Sequence, residues 1–455
     1  MSSAKNDNSI DMVNGPVIRS VIAFALPLIF SCILQMLFNA ADSIVVGRFA
    51  GDDSLAAVGS TAPLINLLTN LFTGLSLGSN VLAARYKGAG DKTAVNETVH
   101  TSMLLGLMSG LLLTVLFLVF APRILITMQT PESVLPLATL YVRIYALGMS
   151  PMMVYNFGAA LLRSKGDTKR PLIYLSVAGV INIFLNLFFV IVLKMDVAGV
   201  ATATAISQTF SAYLIVKCLC GEADEFHMTV KGLRIYKKKL IMILRIGIPA
   251  GIQGTLFAVS NVVIQSAVNT FGSTVVAAGA AASNIEAVVY FITYGFDQSA
   301  VSFVSQNVGA GRYDRLKKII TSAVLLSMGS GLVAGVSAAA FARPLISIFS
   351  ENSDVIAEGV LRMGIICISY IICGSMDTIA SAIRGLGYSL SPTVLILIFV
   401  CGFRILWVFY CLSTPSMNRS LNVYASYPLS WAIATVAELI CFAVVWKKSV
   451  RPRLG

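Results

Sequence analysis

The stretch Ala83-Ala-Arg-Tyr-Lys-Gly-Ala-Gly90 returns 221 residues later as Val304-Ser-Gln-Asn-Val-Gly-Ala-Gly311. At the same offset Gly74 matches Gly295, Val134 matches Val355, Arg163 matches Arg384, Gly166 matches Gly387 and Pro171 matches Pro392. Pro27 with Pro249, and Asn39 with Asn261, match at 222. An offset kept by punctuating glycines and prolines marks an internal repeat, so the chain reads as two copies of one unit.

Composition says what the unit is made of. Apolar residues are 57% of the 455-residue chain and charged residues only 12%, against about 25% in soluble domains. Apolar runs of about 20 residues, bounded by charged or Gly/Pro-containing loops, recur twelve times. They are centred near residues 33, 70, 107, 148, 182, 209, 255, 291, 329, 369, 401 and 435. The expected fold is all-α and polytopic, with six spans per repeat. No cleavable signal peptide is expected, because residues 1–15 are polar and the first apolar run is too long for one.

The net charge of +12 is explained by where the basic residues sit. Of the 33 Lys and Arg, 25 fall at the two ends or in every second loop, and three, Arg143, Arg362 and Arg404, lie within spans. The positive-inside rule then puts both termini in the cytoplasm and makes the chain a multi-pass protein of the cell (inner) membrane. No basic patch is interleaved with stacking aromatics, which argues against nucleic acid. The boundaries read as an N-terminal tail over 1–15, an N-lobe over 16–220, a Lys-rich linker over 221–239, a C-lobe over 240–447 and a C-terminal tail over 448–455.

Six is an even number, so both copies enter the membrane from the same side. Such copies are related by a pseudo-two-fold axis along the membrane normal, and the substrate path is expected between them.

Chemistry is sought among polar residues inside spans, where ionisable groups are expensive and therefore functional candidates. Gln35, Asn39 and Asp42 stand at i, i+4 and i+7 of the first span and share one face of a helix that Pro27 allows to bend. Asn182 and Asn186 share a face by the same rule. The repeats differ where Asp42 is replaced by Ile264, Asn156 by Asp377 and Ile65 by Glu286. Glu286 reads as a site for a substrate cation or a proton, or as half of a structural pair with a neighbouring helix, Asp377 as such a site or an inward anchor, and Asp297 as structural. Glu438 lies in the last span.

Other chemistries lack their residues. The eight cysteines have no framework spacing, and Cys218-x-Cys220 with His227 has only His100 to complete a metal set, so no metal site and no cofactor are expected. Neither copy contains a phosphate loop. Paired acids for a catalytic metal and a nucleophile with its base are also missing, so no catalytic residue and no enzymatic activity are expected.

From about Pro16 to Trp446 the chain resembles the multidrug and toxic compound extrusion (MATE) family, bacterial DinF-like type. The stretches that carry the likeness are Asp42-Ser-Ile-Val-Val-Gly-Arg48, Arg163-Ser-Lys-Gly-Asp-Thr-Lys-Arg-Pro171 and Gln306-Asn-Val-Gly-Ala-Gly-Arg312. The resemblance implies two six-helix bundles around a central cavity, exporting amphipathic, usually cationic compounds by H⁺ or Na⁺ antiport. It also implies cation coupling by Asp42 with Asn182, Asn186 and Thr204, to which the shared face adds Asn39, and a kink at Pro27. Where the family pattern often has Asp, this chain has Asn186, and the seventh-span Glu of a second branch is missing over Thr255–Ala258.

These readings converge on a secondary active multidrug efflux antiporter working by alternating access. Gln35, Asn156, Asn261, Glu286 and Asp377 are its candidate substrate-binding residues. Its partners are expected to be small-molecule drugs or toxins and the bilayer, with the chain a monomer. The alternative is a flippase of lipids or lipid-linked oligosaccharides of the same superfamily. That activity calls for several intramembrane cations to hold pyrophosphate, whereas here acids are the more prominent feature.

Overall fold

The computed structural model describes residues 9–454, so residues 1–8 of the N-terminal tail and Gly455 lie outside the described residues. Sixteen α-helices follow one another among the described residues, with no strand. In the first repeat they are α1 (Val17–Phe49), α2 (Asp52–Gly88), α3 (Lys92–Thr127), α4 (Leu135–Leu147), α5 (Met149–Lys165), α6 (Lys169–Leu187) and α7 (Asp196–Cys220). In the second they are α8 (Lys237–Asn269), α9 (Ser273–Gly309), α10 (Tyr313–Ala340), α11 (Ala342–Ser347), α12 (Ser353–Ile366), α13 (Tyr370–Gly385), α14 (Leu390–Ile396), α15 (Phe403–Ser413) and α16 (Ser420–Ser449).

Ten helical segments among the described residues are long and apolar enough to cross a membrane. The pairs α4 with α5 and α12 with α13, bent by 45° and 42°, each add one span and bring the total to twelve. Short π-helical turns prolong α6 over Phe188–Val192 and join α14 to α15 over Leu397–Gly402. Polar side chains set the ends. Asp91 accepts the amide of Ala94 at the start of α3 (2.9 Å), and Asn352 accepts that of Asp354 at the start of α12 (2.8 Å). The repeat-matched Gly166 and Gly387 take φ of +100° and +103°, a left-handed turn that β-carbon sterics discourage elsewhere.

The chain forms two compact units, and they divide it differently from the sequence boundaries. One holds 30–252 with Ile10 and Ser9, the other 11–29 with 253–454. Residues 16–29, assigned to the N-lobe, therefore pack with the second repeat, and residues 240–252, assigned to the C-lobe, pack with the first. Glycine explains the exchange. A β-carbon on Gly74 would lie 2.2 Å from the backbone nitrogen of Gly251, and one on Gly295 would lie 2.5 Å from Ile29 and 3.0 Å from the Ala25 carbonyl oxygen. Each of these repeat-matched glycines thus seats the first half of α8 or α1 at near-backbone distance.

The linker over 221–239 is not a free tether. Phe226 and Met228 are buried, Asn96 donates to the carbonyls of Glu225 (3.3 Å) and His227 (2.8 Å), and the Tyr236 amide donates to Thr101 (3.1 Å). Lys165 pairs with Glu222 and Asp224, and Arg170 with Asp167 and Glu222, closing an ion network at this end of the first unit. In the second unit, Asn307 donates to the Met12 carbonyl (2.9 Å) and Arg315 to that of Gly15. Burial pushes the Asp11 carboxyl up, but the Asn14 and Val13 amides and the Arg315 guanidinium outweigh it and hold the group below its ordinary value.

Candidate functional site

In the first unit a polar column crosses from α1 through α6 to α7. Asn186 Nδ2 donates both to Asp42 Oδ1 and to Asn182 Oδ1 (3.1 Å), and Asn182 Nδ2 donates to Thr204 Oγ1 (3.4 Å). Asn182 and Asn186 are buried, Asp42 and Thr204 half-buried. The i, i+4 spacing on α6 aims both amides the same way, which is why two asparagines serve one carboxylate. Gly179, one turn before Asn182, lets the Phe38 ring of α1 press onto α6, since a β-carbon there would fall 1.8 Å from the ring. Asn186 Oδ1 is buried with no hydrogen-bond partner among the described residues. An unused acceptor beside a carboxyl group is costly unless something occupies it in another state.

The other candidates on these helices stand apart from the column. Gln35 and Asn39 are exposed, as is Asn261 on α8, and Asn156 on α5 is half-buried. Among the described residues no side-chain hydrogen bond joins Gln35, Asn39 or Asn156 to Asp42. Pro27 lies inside α1, which continues through it as one helix. Sequence reasoning passed over Tyr141 and Tyr145 on α4, whose rings are 5.8 Å apart and which both feel the charge of Asp42. Their own i, i+4 spacing was the available signal, hidden among the many aromatics of the spans.

In the second unit Glu286 does not stand free. Arg362 Nε and Nη2 donate to its two oxygens at 2.8 and 2.9 Å, with both residues 5% exposed. Of the two readings of Glu286, a site for a substrate cation or proton and a structural pair with a neighbouring helix, the forked guanidinium matching its charge is the arrangement the second expects. The partners are 76 residues apart in sequence, and no motif links them.

Around Arg384 on α13 the structure gathers Asp377 of the same helix, Asp297 of α9 and Glu438 of α16, all within reach of its charge. Arg384 Nη2 donates to Gln253 (2.6 Å), Gln298 to Asp297 (3.2 Å), and Glu438 is fully buried with neither oxygen hydrogen-bonded among the described residues. Arg404, which also acts on Asp377, donates to Ser430 (2.8 Å) and lies 4.3 Å from the centre of the Tyr427 ring. Arg384 thus reaches all three carboxyls, and Arg404 one of them. The sequence shows Asp297, Asp377 and Glu438 together as acids of the second repeat but carries no sign that they meet at one arginine.

Twelve apolar spans in two repeats, each repeat with ionisable groups in its interior, define a polytopic all-helical membrane protein. The model of the family described as MatE matches residues 27–188 and 249–409, the larger part of both repeats. The probable multidrug resistance protein YoeA of Bacillus subtilis (strain 168) is 30% identical over 444 residues, 96% of either chain. The FAD transporter of Shewanella oneidensis is 25% identical over 76% of this chain and 77% of its own. A solved structure, described as MATE in the bent conformation, superposes with a TM-score of 0.88 over 97% of this chain and 99% of its own, at 20% identity. This chain belongs to the MatE family.

Proposed function

We propose that the chain is a secondary active exporter of amphipathic, cationic drugs or toxins, driven by the inward movement of H⁺ or Na⁺. In this reading it works as a monomer in the cell membrane with both termini in the cytoplasm. The observation that carries the proposal is the hydrogen bond from buried Asn186 to Asp42, the single acid of the polar column.

An amide is suited to reading the state of a carboxyl group. Asn186 donates to the ionised form; once Asp42 binds a proton it becomes a donor, and Asn186 Oδ1, otherwise unpartnered, becomes the acceptor it requires when the amide turns over. The turn withdraws Nδ2 from Asn182 and so disturbs the bond to Thr204. One proton thereby rearranges contacts among α1, α6 and α7, a differential interaction of the sort that shifts a conformational equilibrium. Oxygens of Asp42, Asn182, Asn186 and Thr204 also suit a hard cation, although with a single carboxylate.

Purified protein in proteoliposomes, given a pH gradient alone and then a Na⁺ gradient alone, identifies the driving ion by export of a cationic fluorescent dye. Asp42→Asn is expected to lower gradient-driven export by about 5- to 150-fold, the range of ordinary coupling free energies. Export by Asp42→Asn at the wild-type rate overturns the proposal. The FAD transporter among the relatives favours a second reading, an anionic nucleotide as cargo. Against this reading, and against a flippase for pyrophosphate lipids, Arg362 is engaged by Glu286. Loading the same vesicles with a flavin nucleotide tests it.

A further inference from the structure

The first turns of α1 and the start of α10 enclose a groove of about 600 Å³ in the second unit. That volume falls within the roughly 300–1,000 Å³ of small-molecule sites. Its walls are apolar at Ile18, Ile22 and Leu26, and its cations are Arg19 and Lys318. Both cations are exposed, and among the described residues neither has a hydrogen-bond or ion-pair partner. Several other basic groups at the Lys/Arg-rich ends are engaged: Lys165 and Arg170 by acids, Arg315 by a carbonyl oxygen, Arg312 by Asp314. Both helices also begin at this end, and their N-terminal amides add partial positive charge.

We propose that this groove is a binding site for an anionic phospholipid, with one acyl chain along Ile18, Ile22 and Leu26 and the headgroup phosphate held by Arg19 and Lys318. A groove that is oily along its length and cationic at its end matches a molecule with that distribution. Neither a soluble phosphate, which gains nothing from the apolar walls, nor a zwitterionic lipid, whose own cation opposes the pair, fits as well. The site needs only that this end of the unit lies at headgroup level, so it stands or falls apart from the transport cycle.

The test uses the full chain in detergent, titrated with phosphatidylglycerol or with phosphatidylcholine of the same acyl chains. Bound lipid is counted by native mass spectrometry and the unfolding temperature is recorded. Phosphatidylglycerol is expected to bind in preference and to raise the unfolding temperature. Arg19→Gln or Lys318→Gln is expected to weaken it about fivefold each, and the double variant about thirtyfold, the weight of one and two interfacial cations. The control Lys447→Gln/Lys448→Gln removes two exposed cations from the end of α16 and is expected to bind as wild type. Equal binding of the two lipids, equal loss in the control, full binding by the double variant, or displacement by glycerol phosphate at matching concentration each overturns the proposal. The single variants give the reading if the double variant does not fold.

Discussion

A guanidinium that donates two hydrogen bonds to a carboxylate inside an apolar helix pack, as Arg362 does to Glu286, offsets its charge. Removing one partner is costly because it strands the other. Glu286→Gln is expected to destabilise the protein by about 3–5 kcal/mol, whereas Glu286→Met with Arg362→Met is expected to be neutral or stabilising by about 1–4 kcal/mol. Thermal unfolding in detergent measures the stability, and dye efflux by the double variant separates the roles. A structural pair leaves efflux near wild type once packing is restored; a substrate site loses efflux while the fold is kept. Asp42 presents the opposite case, since it is only half-buried and its hydrogen-bond partner Asn186 is a neutral amide that can serve either protonation state.

Helix contacts decide whether that amide reaches its carboxyl. α1 approaches α6 so closely at Gly179 that a single methyl group there meets the Phe38 ring, four residues before Asp42. Gly179→Ala is expected to cost about 1–3 kcal/mol by overpacking and to reduce export, as α1 is pushed away from Asn186. Adding Phe38→Leu is expected to restore most of both, and a Gly179→Ala variant that exports normally without that second change counts against the contact. Sequence made part of this arrangement readable. Asn182 and Asn186 announce a shared face through their spacing, and Asp42 stands out as a rare acid in a span. Asn39 obeys the same periodicity yet is exposed, because three residues at i, i+4 and i+7 fan over a sector wide enough for its members to meet different surroundings. The Glu286–Arg362 pair and the company of Arg384 were hidden for a different reason. They depend on which helix packs against which, and helix period carries no record of that.

The repeat was visible as an offset of 221, and so was the match of Gly74 with Gly295, but the role of the pair emerges only from the division of the chain into units. Each glycine sits on the second helix of its own repeat and receives the opening half of the other repeat's first helix. Sequence boundaries could not reveal this exchange, since α1 and α8 run through Pro27 and Pro249 as continuous helices. If the exchange is a property of the repeat, the two positions respond alike. Gly74→Ala and Gly295→Ala are each expected to lower stability by about 1–3 kcal/mol, because the added β-carbon finds backbone or a branched side chain within 2.5 Å. Gly59→Ala on α2 and Gly329→Ala on α10 place the same methyl group in open space and are expected to raise stability by about 0.5–1 kcal/mol through helix propensity alone. Unfolding temperatures of the four variants check the signs: a matched loss at 74 and 295 with a gain at 59 and 329 follows from the exchanged packing. A loss at only one of the matched pair would mean that the repeats no longer use their glycines in the same way.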